Sequence, residues 1–323
     1  MSTNNRTRRH NIISSVDNSG TKLSSVSTDF DLAVNEFIRA CNVKNLTGLT
    51  IQFYKDNLRL LVKYLSKMNV HRPVDVDKRH LEDIILEKKK SVKMVTVDKD
   101  LRGWKAFFNF LNEEGYLTSN PTAEIKPLKY EKKMLETFTK TQVKALLGTP
   151  NRATFTGYRD FVIMQLLLDT GIRISELEGV KITNIEWKNQ ILIVMGKGRK
   201  ERAVPISSTL LRHLKEYVAI RGMLDHDFLF INIDNDPLRK RSIQDKISDY
   251  GKEAGIKGVR VSPHTFRHTF AKMYIMNGGD AFTLQKILGH TSLEIVKTYV
   301  AMFSYDIMKQ HRKFSPLERL DED

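Results

Sequence analysis

The sequence predicts a mainly α-helical chain of two domains, with one small β-hairpin set into the C-terminal domain. Three observations carry this. Apolar residues recur at three- and four-residue intervals through most of the chain, the spacing of one helix face. A polar, basic segment broken by proline, Lys126-Pro-Leu-Lys-Tyr-Glu-Lys-Lys133, separates two such regions. One run, Gln190-Ile-Leu-Ile-Val-Met195, is instead continuously apolar and leads into the turn Gly196-Lys-Gly-Arg-Lys200, as a buried strand entering a hairpin does. At 323 residues the chain suits two cores rather than one.

Residues 1–28 contain Arg6, Arg8 and Arg9 but no apolar block, so they read as a flexible basic arm and not as a secretory signal. Residues 29–125 then predict a bundle of about four helices. The first lies near Leu32–Ala40. The second carries Ile51, Tyr54, Leu58, Leu61, Leu65 and Met68 on one stripe, with Thr50 as its N-cap. The third runs from about Asp77 to Lys90, and the fourth from Thr96 through Leu101, Trp104, Phe107, Phe108 and Leu111 to Gly115. The aromatic residues Phe53, Tyr54, Trp104, Phe107 and Phe108 sit on these stripes and are expected in the core. After the linker, residues 126–135, a second domain spans residues 136–323. It opens with a capping box at Thr139-Lys-Thr-Gln142. The strand pair 190–195 and Arg202–Ile206 interrupts its helices.

Composition narrows the partners. The 53 Lys and Arg against 38 Asp and Glu leave a net charge of +15, which favours a polyanion, nucleic acid first, because cationic side chains gain affinity by releasing the counterions of phosphates. The longest apolar stretch, Phe161–Leu168, is interrupted by Gln165 and is far shorter than the ~20 residues of a membrane span. Cys41 is the only cysteine; an intramolecular disulfide and a Cys-based zinc cluster are excluded, and a reducing cytoplasm is the expected location.

Four stretches of the second domain could carry chemistry. In Ser262-Pro-His-Thr-Phe-Arg-His268, an N-cap and a first-turn proline place His264 in the first turn of a helix, with Arg267 on the same face. His264 and His268 have the i, i+4 spacing of zinc ligands, but Thr265 stands where that motif needs Glu and Arg267 lies between them, so no metal is expected. Arg173 sits at a tight turn after the apolar helix. Glu176, three residues on, can fix its guanidinium, and Ser175-x-x-Glu178 reads as the capping box of the next helix. Lys197 lies between Gly196 and Gly198 at the hairpin tip. His290 follows the helix stop Gly289, and Tyr299 lies nine residues further on. On one straight helix that is ~13.5 Å, too far to share one phosphate, so the break at Gly289 is required.

In order, spacing and context, the set Arg173, Lys197, His264-x-x-Arg267, Leu288-Gly-His290 and Tyr299 resembles the tyrosine recombinase (phage integrase) family. Leu101–Gly115 and Asn120-Pro121 look like the end of that family's core-binding domain. The resemblance implies a C-shaped two-domain clamp on double-stranded DNA carrying specific recombination sites, a homotetramer on paired sites, optional accessory DNA-bending proteins, and no cofactor or metal. It implies that Tyr299 is the nucleophile, forming a 3′-phosphotyrosyl link. Arg173 and Arg267 would stabilise the transition-state charge, with Glu176 supporting. His264 would accept the tyrosine proton, Lys197 would protonate the leaving 5′-oxygen, and His290 would donate a hydrogen bond to the phosphate. Strand exchange would pass through a Holliday junction, serving integration, excision or resolution of DNA elements. His268, outside the set, is assigned to helix packing or a DNA backbone contact, and Tyr305 is a rival nucleophile. The tail bearing Phe314, Leu317 and Leu320 either packs on its own domain or is lent to a neighbouring protomer. Two other functions compete: a type IB topoisomerase and a non-catalytic architectural DNA-binding protein.

Overall fold

The computed structural model describes residues 29–130, 136–196, 200–289 and the single positions Tyr299, His311, Ser315 and Leu317. The N-terminal arm lies outside them. The chain divides into two compact units, Met1–Lys132 and Lys133–Asp323.

The first unit contains the helices α1 (Phe30–Val43), α2 (Gly48–Lys67), α3 (Lys78–Lys89) and α4 (Met94–Glu113). The stripes expected to be apolar form its core: Leu58, Leu61, Leu65, Leu81, Ile84, Trp104, Phe107 and Phe108 are fully buried, while Phe53 and Tyr54 are partly so. The cap of α2 differs from expectation. Thr47, not Thr50, is the N-cap, its hydroxyl accepting from the Thr50 N–H. Apolar spacing starts only at Ile51, but the cap is fixed by where the first unpaired backbone N–H groups lie. Between the helices, Lys88 Nζ lies 2.8 Å from Asp100, which also accepts from Asn57 at 3.0 Å. A buried ammonium is tolerable only with such a partner. The first linker residues are tied back to α4, the Leu128 N–H donating to Asp98 at 2.9 Å.

In the second unit, α5 (Lys140–Gly148) starts from the expected Thr139–Gln142 capping box. It is followed by α6 (Phe155–Thr170), α7 (Ile174–Glu178), β1 (Ile185–Glu186), β2 (Ile191–Met195), β3 (Glu201–Pro205), α8 (Ser208–Arg221), α9 (Lys240–Glu253), α10 (Pro263–Met276) and α11 (Ala281–Leu288). The apolar run 161–168 falls in α6, which packs against α5, α8, α9 and α10. A helix covered on most sides has no use for a polar face, and Phe161 to Met164, Leu166 and Leu167 are buried. The sheet is antiparallel in the order β1-β2-β3, with Leu192 opposite Val204 and Val194 opposite Arg202. The expected hairpin is therefore part of a three-stranded sheet. The additional strand, β1, has two residues, too few to show alternation in sequence. No helix among the described residues is long and apolar enough to cross a membrane.

Candidate active site

Two helix stops build the site. Gly171 ends α6 in the left-handed conformation, φ 60°, and a Cβ there would stand 2.4 Å from Phe270 and 2.9 Å from Leu288. Glycine is required on both counts. Gly289 ends α11 in the same way, φ 65°. The last carbonyls of both helices are thereby turned toward one another's neighbourhood and left without intrahelical partners.

Two arginines fill that need. Arg267, on the buried side of α10, donates from Nη1 to the Gly171 carbonyl at 2.6 Å and from Nη2 to the Leu288 carbonyl at 2.8 Å. Arg173 approaches the same helix end, donating to Leu288 O at 3.4 Å and Gly289 O at 3.3 Å. Helix C-termini carry partial negative charge, which favours two cations at one place. Their mutual repulsion remains: burial first, then the Arg173 charge, lower the Arg267 pKa to about 10. Arg267 is still cationic at neutral pH, and an anion placed between the two guanidiniums would relieve the repulsion.

Glu176 anchors the arrangement. Its carboxylate accepts from the Arg173 backbone N–H at 2.7 Å and from Arg173 Nη1 at 2.9 Å. The cap of α7 is thus Arg173 with Glu176, in place of the expected Ser175 with Glu178. Arg202 holds the other side through Nη1 and Nη2 at 2.7 and 2.8 Å, and its Nε donates to Ile287 O at 2.8 Å. Burial alone would raise the Glu176 pKa, but the Arg202 and Arg173 hydrogen bonds overcome it and hold the carboxyl below its ordinary range.

Ser262 and Pro263 open α10 as expected, the serine side chain accepting from the Thr265 N–H. His264 sits in this first turn with much of its surface exposed. Burial, then Arg267, Arg260 and Arg173, push its pKa down, so it is neutral at pH 7. An open cleft of about 760 Å³ lies against His264 and His268, lined by Arg241, Gln244 and Ser248 of α9 and by Arg260.

A model of the Phage integrase family matches residues 136–304. The chain belongs to the phage integrase family. It is 29% identical over 292 residues to the tyrosine recombinase XerD of Staphylococcus aureus, covering 88% of this chain and 98% of that protein. It is 30% identical over 283 residues to the tyrosine recombinase XerC of Thermodesulfovibrio yellowstonii, covering 84% and 92%. In fold it is similar to the Tn1549 transposon integrase in complex with a circular intermediate DNA, TM-score 0.72 at 18% identity, with 89% of this chain and 99% of that one covered. It is likewise similar to a lambda integrase dimer bound to a COC′ core site, TM-score 0.70 at 16% identity, with 83% and 97% covered. It is a tyrosine recombinase, an enzyme of site-specific DNA cleavage and rejoining.

Of the residues expected in the recombinase's centre, Arg173, Glu176 and Arg267 are brought together directly, and His264 sits one turn before Arg267. Tyr299 is fully buried, against Ala271, Ile275, Leu284 and Leu288. Burial raises its pKa and the Arg267 charge lowers it in part. Lys197, His290, Tyr305, Phe314 and Leu320 lie outside the described residues. His268, expected in helix packing or a DNA backbone contact, packs on Tyr299, with its Nδ1 2.7 Å from the hydroxyl. Arg202 was not singled out in the sequence. The signal was present in strand alternation: Arg202 shares a face with buried Val204, and an arginine facing a core requires a carboxylate. Among the described residues no three His, Cys, Asp or Glu side chains gather as a metal site would need.

Proposed function

We propose that this recombinase cuts each strand by attack of the Tyr299 hydroxyl on a scissile phosphate held by Arg173 and Arg267, leaving a 3′-phosphotyrosyl link. The observation that carries this is the convergence of two fixed guanidiniums on one point next to Tyr299. Attack on a phosphodiester builds charge on its non-bridging oxygens, and two preorganised forks stabilise that charge without reorganising. The phosphotyrosyl ester conserves the bond for religation to a new strand. Lys197 acts as general acid on the 5′-oxygen, and His290 and the neutral His264 complete the phosphate's surroundings, by resemblance to the family.

Both units bind duplex DNA. Most contacts are to phosphates, and specificity comes from a few base edges and from DNA deformability. Four protomers act on two paired sites through a Holliday junction, with accessory DNA-bending proteins where the site requires them, to integrate, excise or resolve mobile or circular DNA in the cytoplasm.

The test uses a nicked suicide duplex carrying the site that the protein itself selects from a randomised pool. Wild type forms a covalent protein–DNA adduct and Tyr299→Phe forms none. Adduct in Tyr299→Phe would overturn the assignment of the nucleophile.

A further inference from the structure

His268 was the residue of the Pro263–His268 stretch with no role in the chemistry, and it is the one that touches the nucleophile. The two rings lie 5.8 Å apart, tilted by 47°. Tyr299 is 1% exposed in an apolar setting, where a phenol needs a partner from the protein. His268 Nδ1 at 2.7 Å supplies one.

The direction of that hydrogen bond follows from the surroundings. A neutral imidazole donates at one nitrogen and accepts at the other. Burial, then His264 and Arg267, lower the His268 pKa, and burial raises that of Tyr299. Both groups are therefore neutral at pH 7, and a hydroxyl enclosed by apolar side chains satisfies its proton by donating to Nδ1, the tautomer in which Nε2 carries the ring N–H. His264, Arg267 and His268, at i, i+3 and i+4, share one face of α10. The helix that carries one half of the phosphate clamp also holds the hydroxyl.

We infer that His268, rather than His264, is the proton acceptor for Tyr299. This rests on Tyr299 being the nucleophile. As Oη bonds to phosphorus, its proton passes to His268 Nδ1; the bond from phosphorus to the 5′-oxygen breaks, and that oxygen takes a proton from Lys197. Religation runs the transfers in reverse, so protons and charge balance over the cycle. His264 is left to the phosphate.

The experiment has two arms, both on the full chain. Without DNA, nitrogen NMR of histidine-labelled protein should show an unprotonated Nδ1 at His268 whose resonance moves in Tyr299→Phe. With the self-selected nicked duplex, His268→Ala and His268→Asn should both bind as wild type does but form adduct at least ~100-fold more slowly, the scale of a lost general base. The Asn variant retains a hydrogen-bond acceptor that takes no proton, and thermal melts verify folding of both. Replacing Tyr299 by a difluorotyrosine, a more acidic phenol, should restore His268→Ala by about tenfold or more over its own tyrosine form. A His268→Ala protein that cleaves as fast as wild type or faster would overturn the inference, as would a slow one that difluorotyrosine does not improve. Adduct formation by Tyr299→Phe would instead sink the nucleophile assignment on which it rests.

Discussion

Arg202→Ala tests whether the arginine cluster is held from outside the phosphate site. The Glu176 side chain is 3% exposed and that of Arg202 12%, so truncation leaves a carboxylate buried without its bidentate partner. Removing one member of such a pair costs about 3–5 kcal/mol. Glu176 keeps the Arg173 N–H and Nη1, which puts the expected loss at the lower end, about 3 kcal/mol. For a domain of this size that is a fall in melting temperature of roughly 6–12 °C, at about 2–4 °C per kcal/mol. Because the folded Glu176 pKa is depressed, its contribution is full above the unfolded value near ~4.3 and is lost as the pH falls through the folded value. The gap between wild type and variant should therefore be complete at neutral pH and narrow below about pH 4. Circular dichroism melts across that range provide the measurement. A fall smaller than about 2 °C at neutral pH, on the same scale, would refute the reasoning, as would a gap that does not narrow in acid.

The turn and the clamp yield two further outcomes. Gly171→Ala forces a side chain into φ 60° and against Phe270 and Leu288, at a cost of about 2–4 kcal/mol from backbone strain and overpacking. Calorimetry should show the lowered melting temperature, and adduct formation should fall with it because the Gly171 carbonyl seats Arg267. Arg267→Lys keeps the charge but loses the fork, and single-turnover cleavage should drop by about 10²–10³, the loss seen when one transition-state donor is removed; duplex affinity should change by no more than a few-fold.

Much of the fold was legible because it rests on local rules. Periodicity placed the four helices of the first unit, and capping chemistry placed the starts of α5 and α10. The errors have a common origin. The apolar stripe points to Thr50 and motif spacing to Ser175, whereas the caps at Thr47 and Arg173 are decided by which backbone N–H groups remain unpaired once the helix is formed. Strand β1 exists because β2 offers it a ladder.

The sequence by itself determined the two-domain helical plan, the net charge of +15 and the residue pattern that resembles the family, since residue type and order survive without coordinates. The tertiary structure alone decided that Glu176 is shared between Arg173 and Arg202, that Arg267 seats on the carbonyls ending α6 and α11 while Arg173 seats on the latter, and that His268 meets Tyr299. Each of these joins residues from separate elements, at distances set by packing and not by spacing along the chain.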